Sequence, residues 1–160
     1  MDNKVYNTLA NAKTIAVIGL SPKEDRASYR VSKYMQDMGY RIIPIYPRED
    51  YILGEKVYRD ISDVDEHIDI LNVFRKSDYL QELVSKIKDR KDISLVWTQL
   101  DVVDDDAMSK LKNADFIQNK CLKIEHNRLF DDIFKDKVEK AHKNLKKVCI
   151  DTQLSFAPFI

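Results

Sequence analysis

The chain is poor in cysteine, glycine and proline, with two, three and four of them among 160 residues. Cys121 and Cys149 form no CxxC pair, which excludes a disulfide framework and a thiolate zinc site. Neither sign of charge is in excess: lysine plus arginine and aspartate plus glutamate both total 27, and the formal net charge is zero. A nucleic-acid partner calls for a basic surplus, so none is expected. No apolar run approaches the ~18 residues that span a bilayer, so no membrane partner is expected. The opening MDNKVYNTLANAK lacks the charged-then-apolar order of a secretory signal. Together these absences point to a cytoplasmic protein, long enough for one domain with a real core.

What is present is organised around Lys13 to Tyr40. Thr14 to Ile18 is a short, β-branched apolar run ending at Gly19, the pattern of a parallel strand buried on both faces. A polar loop follows, and Ser28 is then placed to cap a helix carrying Val31, Met35 and Met38 on one face. Gly39 ends that helix, and Arg41 to Tyr46 begins the next buried strand. This is a βαβ unit with an expected right-handed crossover. Asp2 to Asn11 reads as a leading helix and Ile68 to Phe74 as a third strand. Ser77 then caps a helix over Asp78 to Asp89, Ile93 to Leu100 is a fourth strand, and Asp104 to Asp106 start a helix reaching about Lys112. Ala114 to Gln118 is a fifth, shorter strand. Val57 to Asp65 is a link with Ser62 as a cap. The order predicts an α/β fold: a doubly wound, mostly parallel sheet of five to six strands in three α/β/α layers. Residues 1–130 form that domain. Residues 131–160 form a lysine-rich helical extension whose apolar tail packs on the domain itself or on a second subunit, as in a homodimer.

In such a sheet the ligand sits beyond the carboxyl ends of the strands. After the first strand, Gly19 allows a sharp turn, Ser21, Ser28 and Tyr29 offer hydroxyls, and Lys23, Arg26 and Arg30 offer positive charge at a helix N-terminus. That suits a phosphate, although the same residues also suit an ordinary solvated βα connection. The dinucleotide pattern GxGxxG is unfilled, with Ser21 and Glu24 at its second and third glycines, and no GxxxxGK[ST] loop exists. Arg48 follows the second strand where an NAD enzyme wants a carboxylate. The remaining edge residues are Pro47, Phe74 to Ser77, and Trp97 to Asp101. They contain no His, Cys or carboxylate pair placed for acid–base work, so no catalytic residue is assigned. Asp104 to Asp106 lack the loop glycine and distal glutamate of a calcium site, and no metal site is expected. His126 reads as structural or surface, and Cys121 as a small buried residue or a thiol able to pair with a ligand thiol. Trp97 is as readily core as ligand wall.

Several landmarks occur in succession: Gly19-Leu20-Ser21, Arg26-x-Ser28-Tyr29-Arg30-Val31, Gly39 to Pro44, and Leu53-Gly54-Glu55. Val73-Phe74-Arg75, Trp97-x-Gln99 and Cys121 to His126 continue the series. Across Thr14 to Leu129 they resemble the small stand-alone CoA-binding proteins of Rossmann-like fold. They are also similar to the CoA-binding part of the succinyl-CoA synthetase α subunit, whose catalytic histidine lies in a further domain. The resemblance implies that coenzyme A, free or acylated, is the nucleotide ligand. Ser21, Pro22 and Lys23 would meet its phosphates and Pro47-Arg48 the adenosine 3′-phosphate. Phe74 and Arg75 would border the adenine, with Trp97, Thr98 and Gln99 along the pantetheine arm. Two positions depart from the family's pattern: Tyr46 replaces the Asn of Asn-Pro, and Asp101 replaces the Gly of Gln-x-Gly. The expected function is binding of CoA or acyl-CoA without catalysis. The alternatives are an NADP-dependent oxidoreductase and a scaffold that has lost its nucleotide.

Overall fold

The computed structural model describes residues 3–151; the apolar end of the tail lies outside them. Its elements are helix α1 (Asn3–Asn11), strand β1 (Thr14–Ile18), helix α2 (Ala27–Asp37) and strand β2 (Arg41–Ile45). A small hairpin of β3 (Tyr51–Ile52) and β4 (Glu55–Lys56) and a 3-10 turn at Ile61–Asp63 come next. The chain continues through β5 (Ile68–Val73), α3 (Tyr79–Ile87), β6 (Ile93–Thr98), α4 (Asp105–Ser109), β7 (Asp115–Ile117) and α5 (Leu122–Asp151). The main sheet has five strands, all parallel, in the order β2-β1-β5-β6-β7. Chain order reverses between β1 and β5, which makes that pair the switch point of a doubly wound sheet. The fold is the α/β/α, Rossmann-like one.

The strands read as they do because both sheet faces are covered. Ala16, Ile18, Ile43, Ile45 and Val73 pack with Leu80, Leu83, Val84 and Ile87 of α3 and with Ala107 and Met108 of α4. The alternate positions Ile15, Val17 and Ile42 are equally buried and point to the opposite face. There α1 packs on β6 and β7, and α2 on β2. Val5 and Leu9 are the buried stripe of α1, and Val31 and Met35 that of α2. Gly39, at φ +97, ends α2 in the left-handed conformation that glycine tolerates best.

The expected caps are corrected by the structure. Ser28 lies inside the first turn of α2, whose N-cap is Arg26 with no side-chain hydrogen bond. Ser77 precedes α3 and caps nothing, because its hydroxyl is taken up between two loops: it donates to the Asp101 carbonyl and accepts from the Val103 N–H. The 3-10 turn is capped by Asp60 rather than Ser62, with Asp63 returning the bond to the Asp60 N–H. Asp104 does cap α4, accepting from the Ala107 N–H at 3.0 Å. The hairpin β3–β4 went unread because two residues per strand carry no periodicity.

At the amino edge of the sheet, the Asp69 carboxylate accepts from the N–H groups of Lys13 and Thr14 at 2.8 and 3.0 Å and faces His67 at 3.0 Å. Burial pushes this carboxyl up. The two backbone donors and His67 outweigh that and hold it below its ordinary value. Its contribution is therefore complete above the unfolded carboxylate range and is lost as pH falls through the lowered folded value. Asp69→Asn is expected to cost about 1 kcal/mol in denaturant titration at neutral pH. The gap to the parent should narrow as pH falls below the ordinary carboxylate range. A gap that persists in acid would mean the carboxylate's charge is not what holds β1.

The chain divides into two compact units, the first ending at Glu125 and the second beginning at His126. The boundary falls within α5. Among the described residues no helix is long and apolar enough to cross a membrane.

Candidate functional site at the carboxyl edge

The switch point is built around Gly19. Its φ is +81, and a Cβ placed there would meet the Phe74 carbonyl oxygen at 2.3 Å. The chain leaving β1 thus presses on the chain leaving β5, and only glycine allows both the turn and the approach. The Gly19 N–H donates to the Ile45 carbonyl at 2.9 Å and Phe74 N–H to the Ile18 carbonyl at 2.9 Å, so three strand ends are tied together here. Leu20 is fully buried and anchors the loop beyond. The loop then folds onto α2: Ser28 Oγ accepts from the Ser21 N–H at 3.0 Å, and Ser21 Oγ from the Lys23 N–H at 3.2 Å.

Three adjoining compartments open along this edge. The first, about 510 Å³, brings together Gly19, Ser21, Lys23, Arg26, Ser28, Arg48 and Phe74, with Ala27 and Tyr46. Three cations line it and no carboxylate does. The N-terminus of α2, uncapped by any side chain, ends at the same place, and its dipole adds to the positive field. The second, about 380 Å³, shares Gly19, Tyr46 and Phe74 with the first and adds Pro47, Arg75, Tyr79 and Lys86. In it the Arg75 guanidinium lies over the Tyr79 ring, 4.6 Å from its centre. The third, about 460 Å³, runs from Phe74 and Arg75 to Gln99 and Asp101.

Of the fourteen residues expected to meet the ligand between Gly19 and Tyr29, at Pro47 and Arg48, and between Phe74 and Gln99, ten line these compartments and four do not. Pro22 and Tyr29 are half-buried outside all three. Trp97 and Thr98 have no exposed surface, so their side chains lie beneath the edge rather than in it. The Trp97 indole N–H donates to the Lys120 carbonyl at 2.8 Å. The Thr98 hydroxyl donates to the Val102 carbonyl and accepts from the Asn119 N–H. Gln99, nearly buried, donates to the Asn72 side-chain oxygen at 2.8 Å. His126 is buried, and burial lowers its pKa.

Sequence reading missed Arg59. One of its nitrogens donates to the carbonyls of Tyr46, Arg48 and Glu49 at 3.2, 2.9 and 2.7 Å, bracing the turn that carries Arg48. Glu49 holds a φ of +67 in that turn. Nothing local marks Arg59, since its partners are backbone atoms ten to thirteen residues back. Lys86 and Asp60, paired at 2.6 Å in the lining of the second compartment, were missed because the two side chains meet across 26 residues of sequence. Burial raises the Asp60 carboxyl, but the Lys86 ammonium and the Ser62 N–H bring it below its ordinary value. Asp101 adopts φ +65, so the backbone keeps the left-handed turn of a glycine position while carrying a carboxylate at the mouth of the third compartment.

A five-stranded parallel sheet with its cleft at the switch point defines a Rossmann-like domain. Residues 13–127 match the family described as CoA binding domain, and the chain belongs to that family. It is 39% identical over 125 residues to the uncharacterized protein YneT of Bacillus subtilis, a match covering 77% of this chain and 92% of that protein. A hypothetical protein from Pyrococcus horikoshii OT3 superposes with a TM-score of 0.74 at 30% identity, covering 81% of this chain and 92% of the other. A Thermus thermophilus protein superposes with a TM-score of 0.70 at 31% identity, covering 81% and 99%. A shorter stretch of 58 residues is 38% identical to the ADP-forming acetate–CoA ligase of Methanocaldococcus jannaschii, 36% of this chain but 8% of the ligase.

Proposed function

We propose that the protein binds coenzyme A or an acyl-CoA and catalyses no reaction on it. The carrying observation is the first compartment: three cations, no carboxylate and an uncapped helix N-terminus at the switch point. That field suits the pyrophosphate and 3′-phosphate of CoA, which together bring several negative charges. Lys23, Arg26 and the loop from Ser21 would hold the pyrophosphate, and Arg48, on the turn that Arg59 braces, the 3′-phosphate. The Arg75 guanidinium, stacked on Tyr79, offers a flat cationic face beside Phe74 on which the adenine would stack. The third compartment, past Gln99, would take the pantetheine arm. Trp97 and Thr98 support that wall from beneath. Family membership and the stretch shared with acetate–CoA ligase favour the same ligand.

The test is calorimetric titration with CoA, dephospho-CoA and NADPH. CoA is expected to bind most tightly. Arg48→Ala should weaken CoA about tenfold or more, the loss of one charged hydrogen bond worth about 1.5–3 kcal/mol, and should leave dephospho-CoA unchanged. Preference for NADPH, followed by hydride transfer, would replace this reading with the oxidoreductase one. Silence with all three ligands would make the chain a scaffold.

A further inference from the structure

The second unit lies almost wholly beyond the residues that match the family, so its use must be argued from its own surface. Helix α5 is 30 residues long and runs without a break. Between Phe134 and Val148 its apolar residues are Phe134, Val138, Ala141, Leu145 and Val148, separated by four, three, four and three. That alternation averages 3.5 residues and keeps one stripe facing a partner helix, whereas a helix laid on a globular core shows a broader face. Phe134, Val138 and Leu145 are 61%, 51% and 55% exposed. Helical stability in water comes mostly from packing such a stripe rather than from propensity.

Charge along the helix says what the partner is. Between Asp131 and Glu139 four carboxylates stand against Lys135 and Lys137, whereas Lys140 to Lys147 carries four lysines and no carboxylate. Two such helices side by side in parallel would set acid against acid and base against base. Laid antiparallel they set each acidic half against a basic half, and their dipoles oppose. A helix complementary to its own reverse is the element of a two-fold dimer. We propose that a second copy of this chain covers the stripe, the two α5 helices pairing antiparallel. In this register Phe134 faces Leu145 of the second copy and Val138 faces its Ala141, whose small side chain lets the helices approach closely. The pairing draws on residues of the second unit alone, whatever the nucleotide cleft binds.

The full chain is expected to sediment as a dimer at concentrations up to about 1 mM, where even weak association shows. The double variant Val138→Glu, Leu145→Glu should sediment as a monomer with unchanged CoA titration, losing at most the helical signal of α5 from its circular dichroism. Both positions are exposed, so the first unit has no cause to unfold. Orientation is read by disulfide trapping in a Cys121→Ser, Cys149→Ser background. A mixture of Phe134→Cys and Leu145→Cys chains should cross-link, whereas Leu145→Cys alone should not. A monomeric parent would overturn the proposal. A dimer that survives the double variant, or Leu145→Cys chains that link to each other, would overturn it equally.

Discussion

Gly19→Ala is expected to destabilise the first unit by about 2–4 kcal/mol and to weaken CoA binding at least tenfold. Two costs combine. A φ of +81 is strained for any residue with a Cβ, at about 1–2 kcal/mol. The new methyl would also stand 2.3 Å from the Phe74 carbonyl oxygen, which belongs to backbone rather than to a side chain that can swing away. Relief requires the ends of β1 and β5 to part, and the floor of the cleft lies between them. Gly39→Ala separates these costs. It has a similar φ of +97 but nothing within 4 Å, so it should lose only the conformational part, about 1 kcal/mol, with no change in CoA affinity. Equal losses for the two variants in denaturant titration would show that the contact with Phe74 carries no weight.

The sheet was legible because both its faces are covered. Each buried strand is a short apolar run, and Gly19, Gly39 and Pro47 bound these runs sharply. The cleft was legible to the same degree, since its place follows from the strand ends and its cations lie in the loops that leave them. Ser28 and Ser77 were misread as caps for one reason. A hydroxyl near a helix start has several N–H groups in reach, and only the folded loops decide which it serves. Ser28 serves Ser21, seven residues back, and Ser77 spans two loops from two different strands. Arg59 was hidden because carbonyl oxygens have no sequence signature. The continuity of α5 was obscured because Cys121 to Phe130 mixes buried and exposed positions. Leu122, Glu125, His126 and Leu129 are buried there, whereas Ile124 and Phe130 are exposed.

Tryptophan is where the sequence left two readings equal, and the structure separates them by a measurable difference. Trp97 has no exposed surface, and its indole N–H is satisfied by the Lys120 carbonyl at 2.8 Å. It fills the space beneath the edge on which the cleft stands. Trp97→Ala should therefore cost about 3–5 kcal/mol, close to the whole stability of many small domains. Trp97→Phe keeps most of the ring but leaves the Lys120 carbonyl without its donor, at about 1–3 kcal/mol. Because the phenylalanine variant remains folded, it can be titrated with CoA, and its affinity should match the parent within about twofold. Stability measured by denaturant and affinity measured by calorimetry would then move separately, as they must for a residue that supports a site without touching its ligand. A Trp97→Phe protein of parental stability but tenfold weaker CoA binding would return Trp97 to the wall of the cleft. The chain has one tryptophan, so the parent carries its own reporter: emission from a buried indole that shifts to longer wavelength only as the sheet unfolds.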